Sequence, residues 1–435
     1  MTTALTGNAA EVRARHKEFL FPCVANYYEE PLVLTRGKGA MVADAEGREY
    51  LDFFGGILTL GLGHCHDEVV SRVQQQIAQL GHTSTLYQTE NMVNVAERLA
   101  KITPGRLKKS FFTSSGTEAN ETAILLAKIF TGKQEIIALR HGYSGRSLTA
   151  LSLTGHAPWR LIPTQVAGIK HALSPYCYRC PFGLEHNDGA CGYKCATDIE
   201  DLIRTETSGQ PAAFIAEPIQ GVGGFITPPK GYFEVAVGIV RKYGGLFICD
   251  EVQTGFGRTG DHWCGISHWG VEPDIMTFAK SIANGFPVGA TIATAEVADA
   301  FTGLTISTFG GSPITMSATE ATLDVMERED TPKRSAARGQ QLRDHLLALK
   351  DKYPVMGDVR GMGLMQGVEL VEDRKTKEPA PKRAAKLLEA AKKHGLLVGK
   401  GGLYGNVLRI APSMLISAAE VDEAARRVDL AFAEI

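Results

Sequence analysis

The amino-acid sequence predicts an α/β protein, with a large domain built on a mostly parallel sheet flanked by helices and a smaller α+β domain built from both ends of the chain. Three observations predict it. Between about residues 109 and 295 the short apolar runs KSFFTSS, QEIIALR, AAFIAEP, GGLFICD, DIMTFA and TIATA alternate with helix-length segments. Beyond residue 324 the pattern becomes mixed, and the chain, at 435 residues, exceeds what one hydrophobic core usually holds.

The opening residues supply the first element: AMVADAEGREYLDF reads as two strands about a D-A-E-G turn. The central apolar runs are rich in Ile, Phe and Val and bounded by Gly or Pro, as expected of strands buried on both faces. After TLDVMERED come a polar helix, the strand-like GLMQGVELV, the helix KRAAKLLEAAKKHG, a strand around NVLRIAP and an amphipathic helix from Ala418. The expected division is 1–60 for the N-terminal part of the small domain, 61–324 for the large domain and 325–435 for the C-terminal part.

Forty-six basic residues against forty-eight acidic give a formal charge of −2, which offers no footprint for nucleic acid or an anionic membrane and directs attention to a small-molecule ligand. No apolar stretch approaches the roughly 18 to 20 residues of a membrane span, and MTTALTGNAAEVRARHKEF lacks the apolar core of a signal peptide, so a cytoplasmic location is expected. Four of the eight cysteines, Cys177, Cys180, Cys191 and Cys195, cluster in YCYRCPFGLEHNDGACGYKC. They could close a zinc knot or stand as reduced thiols in a surface insertion. The C-x3-C pair and the intervening spacing depart from the zinc ribbon, so no metal is assigned, and a disulfide suits a reducing compartment least.

In a sheet of this kind ligands sit beyond the carboxyl ends of the strands, so the residue after each apolar run matters most. Asp250 ends GGLFICD, Glu217 follows AAFIA, and Lys280, thirty positions after Asp250, follows DIMTFA. A lysine between apolar and small residues is partly desolvated, which favours the neutral, nucleophilic amine. In FFTSSGTEAN, Ser115 and Glu118 fit a capping box, and Gly116 and Thr117 open a helix whose free N–H groups and positive dipole end can cradle phosphate. An amine for a Schiff base, a carboxylate for a pyridine nitrogen and a phosphate site together match pyridoxal 5′-phosphate.

The motifs DFFGGI, GHCH, GHTSTLY, FIAEPIQGVGG, DEVQTGFGR, GDVRGMGLM, GLLVGKGG and RIAPSM resemble those of class III (omega) aminotransferases of PLP fold type I, most of all the alanine–glyoxylate aminotransferase 2-like branch, over nearly the whole chain. The resemblance implies Lys280 as the Schiff-base lysine, Asp250 as the pyridinium partner, Val252 beneath the ring and Gln253 at its phenolic oxygen. It further implies Ser115, Gly116 and Thr117 at the phosphate and Tyr143 stacked on the ring. Thr308 would reach the phosphate of a partner subunit, making a homodimer with shared active sites, open to pairing into tetramers. Arg409 would bind a substrate carboxylate in a bidentate fork, Ile57 and Tyr87 would line the pocket, and Glu217 would be a structural acid.

Three departures bear on substrate. Val222 stands where GABA and ornithine aminotransferases carry a glutamate that masks the carboxylate-binding arginine; Ser144 replaces a histidine; and Arg146 coincides with the arginine that GABA aminotransferases use for the distal carboxylate. His64 and His66, in GLGHCHDEVV, read as packing residues bonded to backbone carbonyls. The implied function is a PLP-dependent aminotransferase working by ping-pong exchange between an amino acid or ω-amino acid donor and a 2-oxo acid: pyruvate, glyoxylate or 2-oxoglutarate. Its rivals on the same fold are a phospho-lyase, a racemase and a decarboxylase.

Overall fold

The computed structural model describes residues 8–24, 26–163, 165–184 and 189–435. Residues 185–188 of the cysteine-bearing stretch, and the first seven, from which the expectation about the N-terminus began, lie outside them. The strands in chain order are β1 (Leu34–Lys38), β2 (Met41–Asp44), β3 (Glu49–Asp52), β4 (Leu107–Thr113), β5 (Ile136–Leu139), β6 (Ile169–Ala172), β7 (Ala213–Ala216), β8 (Leu246–Asp250), β9 (Ile275–Phe278), β10 (Gly289–Thr294), β11 (Met356–Met362), β12 (Met365–Leu370), β13 (Leu396–Leu397), β14 (Gly399–Gly401) and β15 (Val407–Ile410). They make three sheets, ordered β1-β2-β3-β13, β4-β10-β9-β8-β7-β5-β6 and β11-β12-β15-β14.

Every apolar run assigned to the central sheet is a strand of the seven-stranded one. The pairings from β9 through β8, β7 and β5 to β6 are parallel, whereas β10 runs antiparallel to both β4 and β9. The alternation along each strand shows why both faces of these runs are largely apolar. Ile137, Leu139, Phe214, Phe247, Cys249, Met276 and Phe278 face one core; Ile136, Ala138, Ala213, Ile215, Ile248 and Ile275 face another on the opposite side. Each fully buried Ile or Phe contributes about 1.5–3 kcal/mol, and a one-residue slip would exchange the two faces of the strand.

Five strands, β1, β6, β11, β13 and β14, lie outside the expectation. Strand β6, IKHA, is an edge strand whose Lys170 and His171 are only half buried, so it shows no apolar run. In β11, MGDVRGM, Asp358 and Arg360 pair with each other, with Nη1 to Oδ2 at 2.9 Å. At the N-terminal turn, Asp44 Oδ1 accepts the N–H groups of Glu46 and Arg48 at 3.0 and 2.9 Å, fixing the antiparallel β2–β3 hairpin. Strand β13 adds to β3 in parallel, so residues from both ends of the chain share a sheet. Among the described residues no helix is long and apolar enough to cross a membrane.

Candidate active site

The topology brings the candidate residues to one edge of the central sheet. Asp250 is the last residue of β8, Glu217 follows β7, Tyr143 lies in the loop after β5, and Lys280 comes two residues after β9. Strand β4 runs with β9, both being antiparallel to β10, so residues 115–117 emerge at the same edge. Gly116, Thr117, Tyr143, Asp250, Val252, Gln253 and Lys280 line one cavity of about 140 Å³, with Glu217 and Asn120.

The helix Gly116–Thr131 starts as its sequence asks, with Ser115 Oγ accepting the N–H of Glu118 at 3.2 Å. The reciprocal half of the expected capping box is displaced: Glu118 takes the N–H of Ser114, at 2.7 Å, instead of that of Ser115. The first-turn N–H groups of Gly116 and Thr117 have no intrahelical acceptor, and both residues line the cavity, where such groups can receive an anion. A Cβ at Gly116 would come within 3.2 Å of Val252 Cγ2 and 3.3 Å of Ala279 Cβ, so glycine keeps this floor open. At Gly145, φ is +134° and a Cβ would fall 2.4 Å from Thr117 Oγ1, which ties the Tyr143 loop closely to the helix start.

Asp250 is buried, and its carboxylate is held from two sides. Asn120 Nδ2 donates to Oδ2 at 2.8 Å, and the N–H of Val252 donates to Oδ1 at 3.0 Å. Asn120 in turn donates to Ser144 O at 3.0 Å and accepts from Thr277 Oγ1 at 2.7 Å. Desolvation outweighs these bonds and raises the pKa of Asp250; a cation against it would reverse the shift. Glu217, buried beside Asp250, is pushed up to about 8 by desolvation and then by that neighbour, although it accepts from the N–H groups of Tyr143 and Gly221 at 3.0 and 2.8 Å.

Lys280 begins the short 3-10 turn Lys280–Ala283 with φ of +53°, a left-handed conformation that an ordinary side chain adopts only where its surroundings impose it. Part of its surface opens to the cavity, yet desolvation lowers the ammonium pKa, with Asp250 acting in the opposite sense. The amide Oε1 of Gln253 is buried without a partner among the described residues. An orphaned polar atom, a glycine floor, a helix start, a tethered carboxylate and a desolvated amine in one cavity fit pyridoxal phosphate.

Arg409 lies in β15 with its guanidinium between Phe54, 4.9 Å from the ring centre, and Phe225, 5.7 Å away. It is buried and spends Nε on Lys400 O and Nη1 on Gly221 O, both at 3.3 Å; no carboxylate among the described residues pairs with it. Desolvation lowers its pKa, though a guanidinium remains protonated. Val222, at the position of the masking glutamate, is buried beside this contact and cannot cap the charge.

The remaining predicted residues lie apart from the cavity. Arg146 is exposed, its N–H donating to Thr117 Oγ1 at 3.3 Å. Ile57 is 47% exposed within a left-handed turn, Gly55–Leu58, unusual for a β-branched side chain. Tyr87 is 67% exposed and Thr308 is exposed in the loop after residue 301. His64 corrects its expectation: Nε2 meets Asp52 Oδ2 at 2.8 Å instead of a backbone carbonyl, because Asp52 also anchors the N–H groups of Phe54 and Gly55. His66 takes the N-cap position of the helix Asp67–Gln79, and its Nδ1 has no partner among the described residues. The four clustered cysteines are half-buried free thiols, and among the described residues no group of three or more His, Cys, Asp or Glu side chains is arranged to hold a metal.

Sequence reasoning missed Asn120 and the Phe54–Phe225 sandwich. Asn120 lies one helical turn beyond Gly116, but its partners Asp250 and Thr277 belong to β8 and β9, so its own helix carries no signal for it.

The family model described as Aminotransferase class-III matches residues 23–432. An alanine–glyoxylate aminotransferase 2 homolog from Arabidopsis thaliana, described as mitochondrial, is 43% identical over 99% of this chain and 89% of its own length. A leucine/methionine racemase from Thermococcus litoralis is 36% identical over 96% of this chain and 94% of its own. Among solved structures, an (S)-enantioselective omega-transaminase from Thermomicrobium roseum superposes with a TM-score of 0.91 at 36% identity, covering 99% of both chains. An amine transaminase from an uncultivated Pseudomonas species, in its PLP-bound form, superposes with a TM-score of 0.89 at 31% identity, covering 95% of this chain and 97% of that one.

Proposed function

The chain belongs to the class III aminotransferases and is a pyridoxal-phosphate-dependent transaminase, and on that premise we propose that its donor is an amino acid or ω-amino acid and its acceptor pyruvate, glyoxylate or 2-oxoglutarate. The observation that carries this reading is Arg409, a buried cation sandwiched by two aromatic rings and lacking any carboxylate partner among the described residues. Such a group calls for a carboxylate from outside the chain.

When bound, the cofactor supplies a protonated ring that withdraws electrons from the substrate's Cα. In our reading Lys280 Nζ is the amine that would hold the cofactor, and it would take up and return the substrate's Cα proton. Its lowered pKa keeps the neutral form accessible. Asp250, steadied by Asn120 and the Val252 N–H, would hold the ring nitrogen protonated. Ser115, Gly116 and Thr117 would hold the phosphate, Tyr143 and Val252 would contact the ring, and Gln253 would offer its amide to the phenolic oxygen. Glu217 fixes the Tyr143 loop to the turn at Gly221. Arg409 grips the carboxylate next to the reacting carbon, Arg146 receives the far carboxylate of a dicarboxylate or ω-amino acid, and Ile57 and Tyr87 form the rim.

The same reading makes the enzyme a homodimer, with tetramers as paired dimers. The loop bearing Thr308 exposes Leu304 at 107%, Ile306 at 64% and Phe309 at 64%, and is bonded to the Tyr87 segment through Thr85 and Ser307. An apolar patch of this kind supports burial by a second copy whose phosphate Thr308 would reach. The β3–β13 pairing supports a small domain of residues 1–60 and 325–435 around a large domain of 61–324. The free state of all eight cysteines suits a reducing compartment, which we take to be the cytoplasm.

A panel of donors mixed singly with the holoenzyme tests the assignment. A true donor converts the cofactor absorbance to that of the amine form, and a 2-oxo acid restores it. If no amine or amino acid produces the conversion, the donor assignment fails. The similarity to a racemase favours one second reading, and loss of optical rotation from a single amino-acid enantiomer, without any oxo acid, would support it.

A further inference from the structure

A cavity much larger than the one at Lys280 lies elsewhere in the described structure. A cleft of about 930 Å³ opens between the body of the seven-stranded sheet and the C-terminal layer, within the usual size range of small-molecule sites. One wall comes from residues 175–178, 226–230, His268 and Trp269. The other comes from Arg343, β11 and the turn carrying Arg374, Lys375 and Lys377.

The chain as a whole is nearly balanced in charge, but this cleft is not. Lys230, Arg343, Arg360, Arg374, Lys375 and Lys377 line it, and Asp358 is the only carboxylate among its described lining residues. Asp358 is engaged by Arg360 at 2.9 Å, and Arg360 is further held by Glu369 at 2.7 Å, so this pair cancels no other charge. Arg343 has no carboxylate partner among the described residues; its two bonds are long, 3.3 Å to Gln366 Oε1 and 3.4 Å to Val359 O. Arg374 donates to the backbone carbonyls of Lys350, Tyr353, Pro354 and Met356, which position its guanidinium without neutralising it. Lys230 and Lys375 are exposed and enter no ion pair among the described residues.

Cations brought onto two facing walls of a concave cleft repel one another and concentrate a positive potential inside it. We infer that this cleft is a binding site for a small polyanion, a molecule carrying at least two phosphate or carboxylate groups, distinct from the cavity at Lys280. A single anionic group could neutralise one wall only. A polyanion would engage Lys230 on one side and Arg343 and Lys375 on the other, so occupancy ties the C-terminal layer to the sheet body.

Calorimetric titration of the holoenzyme with ATP, pyrophosphate and citrate, at low and at physiological salt, tests the inference and separates phosphate from carboxylate ligands. The expected result is one site per chain for at least one probe, weakened by salt, with a raised melting temperature. The double substitution Lys230→Gln, Lys375→Gln, confined to exposed side chains, should weaken binding about tenfold while leaving turnover without the probe unchanged. Arg343→Gln should weaken it as well, whereas Arg409→Gln should not. Absence of binding by all three probes overturns the inference. So does unchanged affinity in the lysine double variant, or loss of affinity in Arg409→Gln, which would place the anion at the catalytic cavity.

Discussion

Replacing Arg409 by glutamine isolates the residue on which substrate choice is argued to depend. In the free chain its guanidinium has two 3.3 Å contacts to backbone carbonyls and two aromatic faces, and no carboxylate among the described residues. A substrate carboxylate docking bidentately would add two charge-assisted hydrogen bonds of about 1.5–3 kcal/mol each. That sum agrees with the about 3–5 kcal/mol lost when one partner of a buried pair is removed. At about 1.4 kcal/mol per tenfold, kcat/KM for α-amino acid donors should fall roughly 100- to 3,000-fold. An amine without a carboxylate should lose less than about threefold, since it never used the contact. The ligand-free variant should be at least as stable as the parent, because a buried charge without a counter-ion has been removed. Single-turnover conversion of the cofactor absorbance with matched donors, with and without the carboxylate, gives both numbers. Equal losses for the two donor classes would refute the assignment, as would an unimpaired amino acid.

Three further outcomes follow from the same geometry. Asn120→Ala deprives Asp250 of its 2.8 Å side-chain donor, at about 1.5–3 kcal/mol, and should lower kcat/KM roughly 10- to 150-fold while Asp250→Asn lowers it more; unchanged kinetics would show that Asn120 does not support the carboxylate. Glu217, raised from 4.5 to about 8, binds its proton more tightly folded than unfolded, so its contribution to stability is complete below about pH 4.5 and is lost as pH rises through about 8. Urea unfolding of the cofactor-free protein should therefore lose stability with rising pH across that window, and Glu217→Gln should flatten the slope; a slope equal in both would contradict the assignment. If Thr308 serves the partner's site, co-expressed Thr308→Ala and Lys280→Ala chains should form mixed dimers with one intact site and regain activity that neither has alone, whereas a cis role allows no recovery.

How much of this was legible depended on where each residue finds its partners. The central strands could be read because both faces are buried, leaving β5 and β7 apolar at every position and β8 and β9 apolar but for Asp250 and Thr277. Strand β11 could not, because Asp358 and Arg360 satisfy each other inside the fold, and an ion pair leaves no hydrophobic period. Asp250 and Lys280 stood out as polar residues ending apolar runs. Asn120 did not, since its role comes from reaching across to β8 and β9, which no spacing along its own helix encodes. His64 was recognisable as a packing residue but not its partner, because Asp52 lies on another element. Ile57, Tyr87, Arg146 and Thr308 lie away from the cavity in one chain, and roles completed by substrate or by a second subunit have no local signature.

The central claim is that the amine of Lys280 holds the coenzyme with Asp250 opposite. Borohydride reduction of the holoenzyme, followed by proteolysis and mass spectrometry, reads it out directly. The account predicts the reduced phosphopyridoxyl mass on the peptide containing Lys280, and no labelled lysine in Lys280→Ala. Label on a different lysine, or a fully active enzyme that reduction leaves unlabelled, would contradict it.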